Sequence, residues 1–493
     1  MDKQLMMLTR ILMKKILFST LIILTAISCR DKIEPEIPLP PDVNPDDSIS
    51  TSEPSWPENE CGVSYVWDDD VIPEFHINID EKQWNKILEA YDKNPDISSF
   101  FKCDVIFDKN GVRDTIKNTG IRLFGNADAC RPEGAAGEKH NAEDPQWNFS
   151  NYELNFTYFV NKESHSLRKV NAVYLKSCYN DPSYARERYC YDLYKRAGMK
   201  IIGQNLYCKV NIHVEGDAEP AYLGIYQMIE PVSKDYITER SRVFGKTEGN
   251  LWKCGRGASL TPSSATAGVD MGKGEDFNYM LMTNQADFSA AVKQLSGFSE
   301  NVQKLKNDEF YAWIKGVCDV ELLMWTYAIN VTVGMWDDYW NTGNNYYLYF
   351  NDSNEGNYKV FMIPYDFEMS LGNSRRTVMP NPAVHDPYNW GRNSNPLISR
   401  LLYFPEFKKM YKEALETLIM PEAYLFQHEI SSAIISDLMY QVSFYTKNDT
   451  GLNMNAKDRT AGWSSHPEFK LADPASNDNF FRIRSESIKS YSE

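Results

Sequence analysis

Acids and amides crowd two short stretches of this chain. One is Met335-Trp336-Asp337-Asp338-Tyr339-Trp340-Asn341; the other is Ile363-Pro364-Tyr365-Asp366-Phe367-Glu368-Met369-Ser370-Leu371-Gly372. Between them, Tyr346–Phe350 and Tyr358–Ile363 have the apolar, aromatic character of paired strands. If they form a hairpin, the loop before its first strand and the turn after its second lie at one end. Asp337, Asn341 and Asp366 then converge. Asp366 and Glu368 are two apart, so an extended backbone points them to one side. Hard oxygen ligands of this kind suit magnesium, which takes one or two carboxylates and keeps positions for phosphate oxygens. A separate aspartate to accept a hydroxyl proton and an asparagine on a second metal match the division of labour in phosphoryl transfer. The same residue types also serve as turn and helix-cap residues, and their spacing alone leaves both readings open.

These stretches need elements to hold them. Phe75 to Ile79 alternates as a strand does, and Asp80 then caps a helix with Trp84, Ile87, Leu88 and Tyr91 on one face. Phe101–Phe107 and Val112–Lys117 flank Asp108-Lys109-Asn110-Gly111, which predicts a hairpin. Strands are expected at Gly120–Phe124, Tyr152–Tyr158 and Ala172–Leu175, with a helix from Ser183 to Ala197 ended by Gly198. Another hairpin runs through Asn205–Val214 and Ala221–Met228. Past residue 275 helical patterns dominate, at Glu309–Asn330, Pro405–Leu418 and Glu422–Gln441, interrupted by the one strand pair. The layout is α+β, with a β-rich N-terminal half (61–250) and a helix-rich C-terminal half (251–493), compatible with two lobes enclosing a cleft.

The N-terminus points to export. Arg10, Lys14 and Lys15 precede an apolar run from Ile16 to Ile27, shorter than the roughly 20 residues of a spanning helix. It ends in Ala26-Ile27-Ser28-Cys29, small residues before a cysteine, so residues 1–29 read as a lipoprotein signal peptide and Cys29 as the lipidated residue. Residues 30–60, rich in proline, serine and acids, read as a disordered tether. The expected location is the cell envelope, lipid-anchored on the periplasmic or cell-surface face of the outer membrane, with lipid as the only membrane contact. A net charge of −16 argues against nucleic acid or anionic membrane as partner. The nine cysteines include no CxxC pair, the seven histidines are scattered, and HExxH, GxSxG and P-loop patterns are missing. Gly255-Arg256-Gly257 reads as a flexible surface turn, and His385 as a loop residue.

Several landmarks in order add a resemblance. Trp336-Asp337, Asn345-Tyr346-Tyr347-Leu348-Tyr349, Ile363-Pro364, Asp366 and Gly372 fall on the signature Trp-Asp, Asn-Tyr-Tyr-Leu-Tyr, Ile-Pro-Trp-Asp-x-Asp and glycine of the spore coat protein H (CotH) family of atypical kinases. Gly120-Ile121-Arg122-Leu123-Phe124-Gly125-Asn126 is similar to the family's Ile-Arg-x-x-Gly-Asn strand and turn. Leu175-Lys176-Ser177, Asp181-Pro182-Ser183 and Arg186-Glu187 resemble its strand, loop and helix start, and Tyr222-Leu223-Gly224-Ile225-Tyr226 with Glu230 its Tyr-x-Gly-x-Tyr…Glu. The chain thus resembles an exported lipoprotein member of that family over roughly residues 70 to 375.

The resemblance implies an atypical protein-kinase-like two-lobe fold that uses ATP and Mg2+. Its partner would be a protein substrate, or a surface protein, in the envelope. It assigns Asp337, with Asp338 as alternative, to the catalytic aspartate. It assigns Asp366 to the metal aspartate, and Asn341 and Glu368 to further metal ligands. Arg122, Lys176, Glu187 and Glu230 fall on the nucleotide side, with Lys176 and Glu187 as the lysine–glutamate pair of a kinase. The chain departs from the pattern where the family often has a lysine-rich strand; here Asn148-Phe149-Ser150-Asn151-Tyr152-Glu153-Leu154-Asn155 stands. Tyr365 and Glu368 replace a tryptophan and an aspartate. Two other classes stay open: a catalytically inactive structural or adhesive surface protein of the same fold, and a carbohydrate-active enzyme with paired carboxylates.

Overall fold

A computed structural model describes residues 62–95, 99–125, 131–134, 137, 150–160, 165–267, 269–270, 277–354, 356–447 and 455–492. The expected signal peptide, Cys29 and tether lie outside the described residues, as do Asn126, Asn148 and Phe149.

Local signals in the N-terminal half produce most of the expected elements, but Val112–Lys117 and Gly120–Phe124 form one continuous strand, the strand expected over Tyr152–Tyr158 ends at Asn155, and the helix expected from Ser183 starts at Arg186. Asp80 caps the helix Glu81–Lys93, accepting from the amides of Lys82 (2.8 Å) and Gln83 (3.3 Å). Trp84, Ile87 and Leu88 are its buried residues. Strands β1 (Glu74–Ile79), β2 (Phe101–Lys109) and β3 (Val112–Phe124) follow one another antiparallel. The β2–β3 turn is Asn110-Gly111, with φ of 55° and 79°, the two positive values a two-residue hairpin of this hand requires. β4 (Asn151–Asn155), β5 (Ala172–Ser177), β6 (Asn205–Val214) and β7 (Ala221–Ile229) complete the set.

The seven strands close into a barrel in the order β1-β2-β3-β4-β5-β7-β6, with β6 returning to β1 in parallel. Closure leaves the barrel no free edge among the described residues. Alternation then sorts the side chains. Ile121, Leu123, Tyr152, Leu154, Val173 and Leu175 join Phe75, Val105 and Val210 in the barrel's own apolar core. Their sequence neighbours Arg122, Glu153, Tyr174 and Lys176 therefore sit on the outer face.

The C-terminal half departs from expectation at three points. The strands β11 (Tyr346–Phe350) and β12 (Val360–Pro364) are not a lone pair. With β8 (Asn250–Cys254), β9 (Val269–Asp270) and β10 (Tyr279–Leu281) they make a five-stranded sheet, β12-β11-β8-β10-β9, in which β11 pairs antiparallel with β8. The expected helix Glu309–Asn330 is two helices, Asn307–Val317 and Val320–Thr332. Asp319 divides them by accepting from the Leu322 amide at 3.0 Å, which starts a new helix. The expected helix Glu422–Gln441 begins only at His428, because Tyr424 adopts φ 55°. Pro405–Ile419 and Phe480–Ser492 are continuous helices. The helices and the second sheet share one large apolar core that contains Trp252, Trp340, Trp390 and Phe367.

Candidate functional site

The outer barrel wall presents a cross-strand row, because β3–β4–β5 register places Arg122 opposite Glu153 and Glu153 opposite Tyr174. Arg122 donates to Glu153 through Nε at 2.7 Å, with Nη2 2.5 Å away. Lys176 follows Tyr174 by two positions and so emerges on the same face. The residue is 7% exposed, and its ammonium meets three carboxylates: Glu187 Oε2 at 2.8 Å, Asp366 Oδ1 at 2.6 Å and Glu368 Oε2 at 3.4 Å. Burial works against that charge, but Asp366, Glu187 and Glu368 outweigh it and hold the lysine pKa well above its usual value.

Glu187 enters from the first turn of the helix Arg186–Arg196. The start of that helix is fixed by Asp181, which accepts from the amides of Ser183 and Arg186 and pairs with the Arg186 guanidinium at 2.5 Å. The second Glu187 oxygen accepts from the Phe367 amide at 3.4 Å, so one carboxylate ties the barrel wall to the loop after β12.

That loop is tightly shaped. Asp366 has φ 60°, a left-handed conformation that aspartate tolerates better than most residues and that gathers at functional sites. Phe367 packs against Tyr191 and Tyr194, and the Leu371 amide donates to Val333 O at 2.7 Å. Gly372 has φ 91°, and a Cβ there would lie 2.8 Å from the Phe469 ring. The C-terminal segment pins the loop from outside. Trp463 Nε1 donates to Asn180 Oδ1 (3.0 Å), Asn180 Nδ2 to Glu368 Oε1 (3.3 Å), and Ser464 Oγ to Gly372 O (3.2 Å).

The two neighbouring aspartates part company. Asp338 is 2% exposed and caps the short helix Tyr339–Thr342, accepting from Asn341 N and from Asn330 Nδ2, each at 3.2 Å. Burial, only partly offset by those donors, pushes its pKa up to about 7. Asp337 is half-buried and accepts from Thr342 Oγ1 (2.7 Å), Asn344 Nδ2 (3.3 Å) and Asn345 Nδ2 (3.3 Å). Burial raises its pKa, and the charge of Asp366 raises it further. The two carboxylates thus lie near enough for the charge of Asp366 to act on Asp337. Of the two aspartates, Asp337 is the one available to a substrate.

The remaining expected site residues have partners of their own. Asn341 is 3% exposed and donates its amide to Trp336 O at 2.9 Å, so it shapes the Asp337 loop. Glu230 is filled by a forked pair with Arg240 (2.6 and 2.8 Å) and by the Gln204 amide (2.9 Å). No member of the Lys176 cluster is among those partners. Gly255-Arg256-Gly257 is closely packed: Gly257 N and Ala258 N both donate to Gly343 O, and a Cβ on Gly255 would lie 2.7 Å from Phe277 O. It is a surface turn, as expected, with Arg256 and Gly257 exposed, but a tightly held one and not a flexible one. The exposed Arg256 favours ionised Asp337 by its charge.

Sequence reasoning passed over three residues of this region. Asn180 and Trp463 link Glu368 to the C-terminal segment, and only the folded chain brings them together. Lys253 lies on β8 opposite Tyr347 of β11, with its ammonium 6.0 Å from the Tyr365 ring centre. Burial first, then Arg122, pushes its pKa down to about 8, while Glu153 and Asp366 work the other way. A lone charge in the apolar run Leu251-Trp252-Lys253-Cys254 was the available signal.

Asp366 and Glu368 are hard oxygen donors, and Asp366 keeps 24% of its side chain exposed. That fits an ion such as magnesium, which accepts one or two protein carboxylates and retains its other ligands. Among the described residues, the one trio of metal-ligating side chains with ligand atoms within 4.8 Å of one another is the exposed Asp68, Asp69 and Asp70, none of which belongs to this cluster. The cluster's carboxylates are instead spread around the Lys176 ammonium.

No curated protein matches the chain. A family model described as CotH kinase protein matches residues 143–468, which includes Lys176, Glu187, Lys253, Asp337, Asp366 and Trp463. The match covers well over half of the chain, and the chain belongs to the CotH kinase family.

Proposed function

We propose that this protein is a two-lobed kinase, anchored in the cell envelope by lipid on Cys29. It moves the γ-phosphate of ATP to serine or threonine of a protein partner there. One observation carries the reading: a buried lysine joined at once to a helix glutamate (2.8 Å) and to a loop aspartate (2.6 Å), with Asp337 close enough to feel that aspartate's charge. Phosphoryl transfer requires this set of parts, because its catalysis is mostly alignment and charge neutralisation.

The roles follow from chemistry. Asp366, helped by Glu368, would hold magnesium, which when bound neutralises phosphate charge. Asp337 accepts the proton of the acceptor hydroxyl and orients it, and its raised pKa makes it a better base than an ordinary carboxylate. Thr342, Asn344 and Asn345 fix the Asp337 carboxylate in place. Lys176 and Glu187 align the Asp366 loop with the barrel wall.

A non-catalytic surface protein of the same fold is the second reading. It is favoured by Glu153, which neutralises Arg122 where the resemblance implies a basic strand. Titration of the full chain with ATP, with and without Mg2+, separates the two. A kinase binds ATP more tightly with Mg2+, and Asp366→Asn removes that gain. Absence of ATP binding by the folded wild type would reject the kinase reading.

A further inference from the structure

Three cations lie along the seam between the barrel wall and the second sheet: Arg122, Lys176 and Lys253. Arg122 is held by Glu153 at 2.5 Å, and Lys176 by Asp366, Glu187 and Glu368. Lys253 differs, since among the described residues no hydrogen-bond or ion-pair partner meets its ammonium, which lies 6.0 Å from the Tyr365 ring centre. The charges that act on it come from three elements: Arg122 on β3, Glu153 on β4 and Asp366 in the loop after β12. A half-buried ammonium without an anion is costly, and such groups gather where a ligand supplies the missing charge.

Position favours a ligand over a solvated stem. Lys253 pairs in register with Tyr347 on β11 and lies within reach of the charges of Arg122, Glu153 and Asp366. The arginine and the other lysine are already neutralised, so a polyphosphate entering this seam finds one uncommitted cation. We propose that Lys253 is the nucleotide-phosphate contact of this protein. Its ammonium would donate to a non-bridging oxygen of the phosphate chain of a nucleoside di- or triphosphate. The role rests on the kinase reading and adds a residue to it, in place of the basic strand this chain lacks. Arg256, exposed beside Asp337, is a weaker candidate because solvent already satisfies it.

The test separates the phosphates from the nucleoside. Full-length wild type, Lys253→Met and Lys253→Arg are titrated with ADP in EDTA and with adenosine, after thermal melts confirm that all three fold. Methionine removes a charge-assisted hydrogen bond to phosphate and weakens ADP binding roughly 10- to 100-fold, whereas arginine restores most of it. Adenosine affinity stays the same in all three. ADP affinity unchanged in Lys253→Met overturns the proposal, and so does an equal loss for adenosine, which would make Lys253 a shape residue. A wild type that binds neither ligand overturns the kinase reading along with it. A wild type that binds ADP while Lys253→Met binds it equally well rejects the Lys253 role alone.

Discussion

Replacing Lys176 by methionine keeps the stem and removes the charge that three carboxylates share. Glu187 is 2% exposed, so it is left with a buried, uncompensated charge. Breaking a buried pair in this way typically costs about 3–5 kcal/mol. Asp366 and Glu368 retain 24% and 13% of their side-chain exposure, which favours the lower end, about 3 kcal/mol. For a folded unit of roughly 430 residues the unfolding entropy is about 0.9 kcal/mol/K, so the melting temperature falls by about 3 °C. Calorimetry of wild type and Lys176→Met reads this directly. A second arm uses the hole. Without the ammonium, Asp366 and Glu368 attract a divalent cation, and Mg2+ at ten times its Kd returns about 1.4 kcal/mol to the variant. In the wild type Lys176 competes for the same oxygens, so Mg2+ alone moves its melting temperature less. Equal melting temperatures, or an equal Mg2+ shift in both proteins, would refute the reasoning.

Other perturbations have separate readouts. Asp337→Asn lowers phosphoryl transfer about 10²- to 10⁴-fold with little change in ADP affinity, as loss of a general base requires; steady-state kinetics beside ADP titration checks it. The Asp338 carboxyl, pushed up to about 7, keeps a proton in the folded state that the unfolded chain releases near pH 4. Its contribution is thus fully present below about pH 4 and is lost as pH rises to about 7, by roughly 4 kcal/mol at most. Urea unfolding from pH 4 to 8 should show that slope, and Asp338→Asn should flatten it. Gly372→Ala forces a side chain into φ 91° against Phe469 and destabilises by more than about 1 kcal/mol, seen as a lower urea midpoint. Trp463→Phe removes the donor to Asn180 and costs about 0.5–1.5 kcal/mol by the same assay.

Legibility in the sequence tracked locality. Asp80 as a cap and Asn110-Gly111 as a turn act within a few residues, and both are readable one residue at a time. Asp366 and Glu368 do meet at Lys176, but through a loop in which Asp366 has φ 60° and not through the extended backbone that their spacing suggested. The pairing of β1 with β6 and of β8 with β11 was not readable, since each joins segments far apart through backbone bonds that carry no side-chain signature. Side-chain partners stayed hidden for the same reason. Nothing local distinguishes Asp337 from Asp338 until Asn330 is seen to claim the second. Glu230 looks free until Arg240, ten residues on, folds back to it. Asn341 sits in the expected loop, where its Nδ2 donates to Trp336 O and so fixes the side chain. Trp463 acts on Glu368 through Asn180, a path that exists only once the C-terminal segment has packed.

The most direct measurement is transfer of labelled γ-phosphate from ATP with Mg2+ to a generic protein acceptor, using the full chain beside Asp366→Asn and Asp337→Asn. The expected result is label from the wild type and at least a hundredfold less from either variant, with ADP still bound by Asp337→Asn. Undiminished transfer by Asp366→Asn, or no transfer by a folded wild type that binds ATP, would contradict the assignment of this seam as a phosphotransfer site.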